Sequence, residues 1–153
     1  MRTVVGEILD IEFLTLFPYM NRAILSMKIT WLGHASTLIE SEGAVVYTDP
    51  VFSRSVFGLR RSVPFPRDPE TLPDPTAVLI SHAHYDHLDL PSFKYFSSRA
   101  TIVLPKGLGP WLSKFFPNRL MELDHGETER LGGMEVSALP VAHTGWRLSH
   151  QHQ

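Results

Sequence analysis

The run Ala77-Val78-Leu79-Ile80, followed at once by Ser81-His82-Ala83-His84-Tyr85-Asp86-His87, constrains this chain more than any other stretch. A short apolar run of this kind reads as a strand buried on both faces. His82, His84, Asp86 and His87 come directly after it. Imidazole nitrogens and a carboxylate oxygen suit zinc, iron or manganese, and holding several together costs free energy unless a cation neutralises them. The fold must therefore end a buried strand at a polar, metal-sized site. In extended backbone, side chains at i and i+2 point the same way. His82, His84 and Asp86 can thus face one side of the loop, while His87 points elsewhere unless the chain turns. Two ligand directions from one loop suit two neighbouring metals better than a single tetrahedral ion. A lone His-x-His pair would be weak evidence, because surface histidine clusters occur by chance. The added Asp-His at this offset after a strand makes the pattern far more specific.

The rest of the chain reads as α/β: a strand meander followed by alternating elements. Lys28–Leu32 and Thr37–Glu40 form a strand pair across Gly33-His34-Ala35-Ser36. A third strand, Ala44–Tyr47, follows the Glu42-Gly43 turn and stops at Thr48-Asp49-Pro50. Residues 51–76 hold many of the twelve prolines and read as loop. Beyond the site, Thr101–Leu104, Arg119–Leu123 and Met134–Pro140 fit strands, and Leu90–Phe96 and Lys106–Phe116 fit short helices. Residues 1–26 form an N-terminal extension, because Met27-Lys28-Ile29-Thr30 looks like a chain start. Its segment Ile8–Phe17 fits an amphipathic helix packed on the domain, or an addition outside the fold. Glu7, Asp10 and Glu12 make it too charged to span a bilayer. It lacks the layout of a signal peptide.

Length and composition bound the functions. A chain of 153 residues holds one domain at most, and 43% apolar with 20% charged residues describes an ordinary globular core. A net charge of −2 offers no basic surface for nucleic acid. With no cysteine there is neither a disulfide framework nor a thiolate metal site, which is compatible with a cytoplasmic location.

Several segments together resemble the metallo-β-lactamase superfamily, from about Met27 to the end. Ile29-Thr30-Trp31-Leu32-Gly33-His34-Ala35 is similar to its opening strand and glycine turn. Thr48-Asp49-Pro50-Val51-Phe52-Ser53 resembles the segment with its first acidic motif, and residues 82–87 carry its metal motif. Pro105-Lys106-Gly107-Leu108-Gly109 and Glu122-Leu123-Asp124 are local matches. Pro140-Val141-Ala142-His143 resembles the strand end that supplies a further histidine. The wording is most similar to N-acylphosphatidylethanolamine phospholipase D-like proteins, and next to ascorbate-phosphate lactonase-like hydrolases.

The resemblance implies an αβ/βα sandwich of which residues 27–153 form the N-terminal αβ half. It implies that His82, His84 and His143 hold one metal, and that Asp86 and His87 contribute to a second. Asp49 would sit beneath the site and orient a ligand. His34 would support a ligand, face substrate, or simply hydrogen-bond within its turn. One or two zinc ions would acidify bound water toward ~7 and position hydroxide against a phosphodiester, with Asp86 holding or accepting its proton. The substrate would be a small or phospholipid-like molecule; a lactone or other ester is the alternative, and a non-catalytic metal-binding fragment is a third reading. A di-iron oxidoreductase of this fold would carry glutamate where His84 stands. The superfamily's second half, with a bridging aspartate and a last histidine, has no counterpart before Gln153. The chain therefore reads as truncated, binding at most one metal well, with little or no activity of its own, and leaving one sheet face uncovered.

Other features read as ordinary structure. His125 fits a surface turn, and His150 and His152 a polar tail. Trp111, Phe115 and Phe116 have core-like helical spacing. Arg54, Arg60 and Arg61 could meet a phosphate but read first as a solvated basic face.

Overall fold

The structure is a computed structural model that describes residues 8–12, 26–41, 43–56, 58–65 and 68–143. The chain runs through β1 (Ile8–Glu12), β2 (Ser26–Gly33), β3 (Ser36–Ser41), β4 (Ala44–Thr48), β5 (Ser55–Val56), β6 (Leu59–Arg60) and β7 (Ala77–Leu79). It continues with β8 (Thr101–Pro105), α1 (Gly109–Leu112), β9 (Arg119–Leu123), β10 (Thr128–Leu131) and β11 (Met134–Ser137). Seven strands form one sheet in the order β1-β2-β3-β4-β7-β8-β9. The first four are antiparallel neighbours; from β4 through β7 and β8 to β9 the pairing is parallel.

This change of pairing places the site. Parallel strands open their carboxyl ends along one edge, where loops collect. β2 runs the same way as β4, two antiparallel steps away, so the β2–β3 turn lies at that edge too. His34, Asp49 and the loop after β7 meet there.

Alternation along the strands builds two apolar layers. On one face Tyr47, Val78 and Ile102 stand in register, packed under Leu88, Phe93, Leu108 and Leu112. Tyr47, Phe52 and Phe96 join this layer through ring contacts, with centroids 5.0–6.1 Å apart. On the other face Val46, Ala77, Val103 and Leu123 lie under Leu131, Met134 and Val136 of the β10–β11 hairpin. That hairpin covers part of the face expected to be bare. Ile39, Leu79 and Met121 remain half-buried there, and Trp31 is 46% exposed.

Several expectations change. Ile8–Glu12 is not helical: it pairs antiparallel with β2, from Ile8 opposite Thr30 to Glu12 opposite Ser26. An open strand edge offers a row of unpaired N–H and C=O groups, and five extended residues satisfy them better than one isolated helical turn. Ser26 already belongs to β2; residues 1–7 and 13–25 of the extension, and His150 and His152, lie outside the described residues. Leu90–Tyr95 is a 3₁₀ turn with Pro91 near its start. The helix expected over Lys106–Phe116 is only α1: its start moves to Gly109, because Gly107 takes φ 92° and Pro110 suits a first turn, and it ends at Leu112. The proline-rich stretch contains the β5–β6 hairpin and a 3₁₀ turn at Pro69–Thr71. β10 is an added strand, pairing β11 from Thr128–Ser137 to Leu131–Met134. Trp111 and Phe116 pack against the core as expected, whereas Phe115 is 51% exposed.

Candidate metal centre

The β7 strand delivers the site loop. Ile80 N–H donates to Val103 O at 2.8 Å and Asp49 N–H to Leu79 O at 2.9 Å, so the sheet is stitched up to the last residue before the motif. The chain then turns: His87 and Leu88 N–H both donate to His84 O, at 3.0 and 2.8 Å. Leu88, fully buried, anchors this turn in the core. The turn separates the two ligand directions that extended backbone alone would not give to His87.

Two groups of candidate ligand atoms result. His82, His84 and His143 form one, and His34, Asp86 and His87 the other; within each, the donor atoms lie within 4.8 Å of one another. Two donors on a tetrahedral zinc sit about 3.4 Å apart, given bonds of roughly 2.0–2.1 Å. His82 Nε2 and His84 Nδ1 are already 3.1 Å apart. His143 packs edge-on to both, with ring centroids 4.8 and 5.0 Å away. It arrives from the strand end after β11, far along the chain from the site loop.

His34 takes a place that the sequence reading leaves open between several roles. Its Nε2 lies 2.8 Å from Asp86 Oδ2 and its ring packs edge-on to His87. It sits on the β2–β3 turn at φ 54°, and Asp49 has φ 40°. They are the two non-glycine residues with positive φ among the described residues. Such backbone costs on the order of 1–3 kcal/mol and persists where surroundings hold it, commonly at functional sites.

Asp49 lies beneath the loop, 6% exposed. It accepts from Ser81 N–H at 2.7 Å, Ser81 Oγ–H at 2.6 Å and His87 Nδ1–H at 2.8 Å. Holding the proton on Nδ1 leaves His87 Nε2 with its lone pair, 3.8 Å from Asp86 Oδ2. Ser81 extends the arrangement. With its proton committed to Asp49, its oxygen accepts from His82 Nδ1–H at 2.9 Å, which frees His82 Nε2 toward His84. Ser81 carries no chemistry that marks it in the sequence; its only signal is adjacency to His82.

The electrostatics suit a cation. Burial, followed by the neighbouring imidazoles His87 and His84, lowers the His82 pKa from 6.5 to about 4, so its lone pair is available at neutral pH. Burial acts to raise the Asp86 carboxyl, but the His34 hydrogen bond and His87 outweigh it and hold the group below its ordinary value. The donor set therefore fits a metal: three imidazoles facing one another on one side, and a carboxylate held ionised between two imidazoles on the other.

The walls of the site are pinned separately. Ser36 Oγ donates to Asp49 O and accepts from Val51 N–H, tying the β2–β3 turn to the segment after β4. Buried Asp89 accepts from Ser53 Oγ at 2.7 Å and from Ser92 Oγ, and Phe52 N–H donates to Ser92 Oγ. His125 is an exposed turn residue and joins neither group.

The family model described as "Beta-lactamase superfamily domain" matches residues 45–153. N-acyl-phosphatidylethanolamine-hydrolyzing phospholipase D 1 of Caenorhabditis elegans is 34% identical over 143 residues, covering 81% of this chain and 40% of that protein. The UPF0173 metal-dependent hydrolase MK1542 of Methanopyrus kandleri is 30% identical over 118 residues, covering 77% and 48%. Among solved structures, CmlA, a diiron beta-hydroxylase from Streptomyces venezuelae, aligns with a TM-score of 0.62 at 28% identity, covering 74% of this chain and 24% of that one. The chain thus spans less than half the length of these relatives. No helix among the described residues is long and apolar enough to cross a membrane. Strand order, metal-capable groups and similarity agree: the chain belongs to the beta-lactamase superfamily and has a sheet-rich α/β fold of the metallo-β-lactamase type.

Proposed function

We propose that this chain carries the metal site of a hydrolase that cleaves a phosphodiester in a small or phospholipid-like substrate. The observation that carries the reading is the pair of ligand groups sharing one loop at the carboxyl edge of the parallel strands. His82, His84 and His143 hold one ion; His87 and Asp86, joined by His34, hold the second. Zinc comes first for imidazole and carboxylate ligands, with iron or manganese as alternatives. A bound ion of this kind acidifies water and stabilises negative charge at the reacting centre.

The chain's own residues do the rest. Asp49 and Ser81 hold His87 and His82 in the tautomers that present Nε2. Asp86, kept ionised beside His34, would accept a hydrogen bond from the attacking water and take its proton as the new bond to phosphorus forms; the ester P–O bond breaks, and the leaving alkoxide takes up a proton and departs as the alcohol. The 34% identity to the C. elegans phospholipase D supports the phosphodiester. The same residues could open a lactone or ester, and a cytoplasmic setting is compatible with a sequence that has no cysteine.

The test is a panel of a chromogenic phosphodiester, a lactone and a carboxyl ester, run with zinc, iron or manganese. Because His34 adds a third donor to Asp86 and His87, turnover of the phosphodiester is expected in place of the little or no activity expected of a truncated chain, lost on chelation and in His84→Ala. Turnover of the lactone or ester alone would transfer the reading to the alternative. Tight metal binding without turnover of any of them would make the chain a metal-binding module.

A further inference from the structure

A cleft of about 670 Å³ opens beside the site, a size usual for small-molecule pockets. His34, His84 and Asp86 line it, and so does the β5–β6 segment with Leu59, Arg61 and Val63. Arg61 is not part of a solvated basic face. Its Nη1 donates to Val51 O at 2.5 Å and its Nη2 to Leu32 O at 3.5 Å. Its guanidinium stacks over Phe65, 5.5 Å from the ring centroid. Gly33 makes the space: a Cβ there would lie 2.5 Å from Arg61 Nη2. Among the described residues no carboxylate comes within ion-pair distance of this guanidinium. Two of its five N–H groups are bonded to carbonyls, which fixes the orientation of the fork without neutralising it.

The same cleft carries apolar side chains that water would not select. Leu59 is 78% exposed, Val63 61% and Trp31 46%. One half-buried cation, with no close ion pair among the described residues and Asp89 acting on it only from farther off, beside three exposed apolar side chains and next to a candidate metal centre, matches an amphiphilic anion.

We propose that Arg61 binds the phosphate group of an amphiphilic substrate whose apolar part lies against Leu59, Val63 and Trp31. The inference rests on the hydrolase reading for the reaction but not for the binding. Arg61 supplies bidentate N–H donors to phosphate oxygens, and its fixed orientation reduces the entropy lost on binding. Leu59 and Val63 set the preference for a chain over a bare phosphate.

The experiment is calorimetric titration of the full chain with hexyl phosphate, inorganic phosphate and hexanol, as purified and again after chelation. Hexyl phosphate should bind about tenfold more tightly than either other probe, the scale of one charge-assisted contact. Arg61→Gln should bring hexyl phosphate down to the hexanol level and leave hexanol unchanged. Leu59→Asn, which removes the apolar surface without adding charge, should weaken hexyl phosphate and leave inorganic phosphate unchanged. The inference is overturned if Arg61→Gln weakens hexyl phosphate and hexanol alike, which a scaffold role would produce, or if inorganic phosphate matches hexyl phosphate on the native chain. Should Arg61→Gln fail to fold by circular dichroism, the three probes on the native chain and the Leu59→Asn variant decide. Zinc titration of the same samples separates the two readings. Lost zinc binding with intact probe binding removes the hydrolase reading alone; intact zinc binding with no probe preference removes this one alone.

Discussion

Replacing Asp49 by Asn should detach the metal without collapsing the fold. Asn has the same size and tolerates the positive φ of this position. One carboxylate oxygen receives Ser81 N–H; the other receives both Ser81 Oγ–H and His87 Nδ1–H. An amide must keep its oxygen toward Ser81 N–H, because the opposite orientation sets donor against donor. Its NH₂ then faces Ser81 Oγ and His87 Nδ1. His87 must accept at Nδ1 and carry its proton on Nε2, where it can no longer be a ligand. Ser81 Oγ, now accepting, donates to His82 Nδ1 and moves that proton to Nε2 as well. One atom exchange thus blocks one ligand in each group. Loss of such an orienting partner costs about 10–100-fold in metal affinity, equivalent to about 1.4–2.7 kcal/mol. Competition against a fluorescent chelator measures zinc affinity, and thermal melting checks the fold. Unchanged zinc affinity in a folded Asp49→Asn chain would refute the tautomer reasoning.

Three further outcomes follow from the same geometry. Gly33→Ala places a Cβ at φ 104° and against Arg61, so it should cost on the order of 2 kcal/mol, read as a lower urea midpoint; an unchanged midpoint would count against it. Leu88→Ala empties a fully buried position under the site loop and should cost about 2–5 kcal/mol by the same measurement, whereas a loss below about 1 kcal/mol would show that the loop is not anchored there. In the metal-free chain, His82 titrates near pH 4 when folded and near 6.5 when unfolded. The unfolded state therefore binds more protons in that window, and stability should fall as pH drops from about 6.5 to about 4. His82→Gln should flatten this slope; a native chain that gains stability on acidification would reverse the sign.

Much of the site was legible because its signals are local. The apolar run before Ser81 predicts β7, the glycine at position 33 predicts the β2–β3 turn, and Pro50 predicts the end of β4. The i, i+2 spacing of His82 and His84 already places them side by side. What escaped depends on distant partners. Arg61 reads as one arginine among three until Leu32 O and Val51 O hold it in the cleft. His34 acquires its place only when Asp86, fifty-two residues later, lies 2.8 Å away. Ile8–Glu12 has the mixed polarity of a helix face, but the open edge of β2 decides its conformation. The expected helix after β8 starts late: Gly107 takes positive φ, Pro110 suits the first turn, and Glu122 accepts from Gly107 and Gly109 N–H where earlier helical turns are expected.

The central claim is that the loop at 82–87, with His143 and His34 brought to it, binds metal. Elemental analysis of purified chain after exhaustive dialysis tests this directly. The native chain should retain zinc, iron or manganese, and His84→Ala, folded by circular dichroism, should retain none. Metal content that is the same in both would contradict the account.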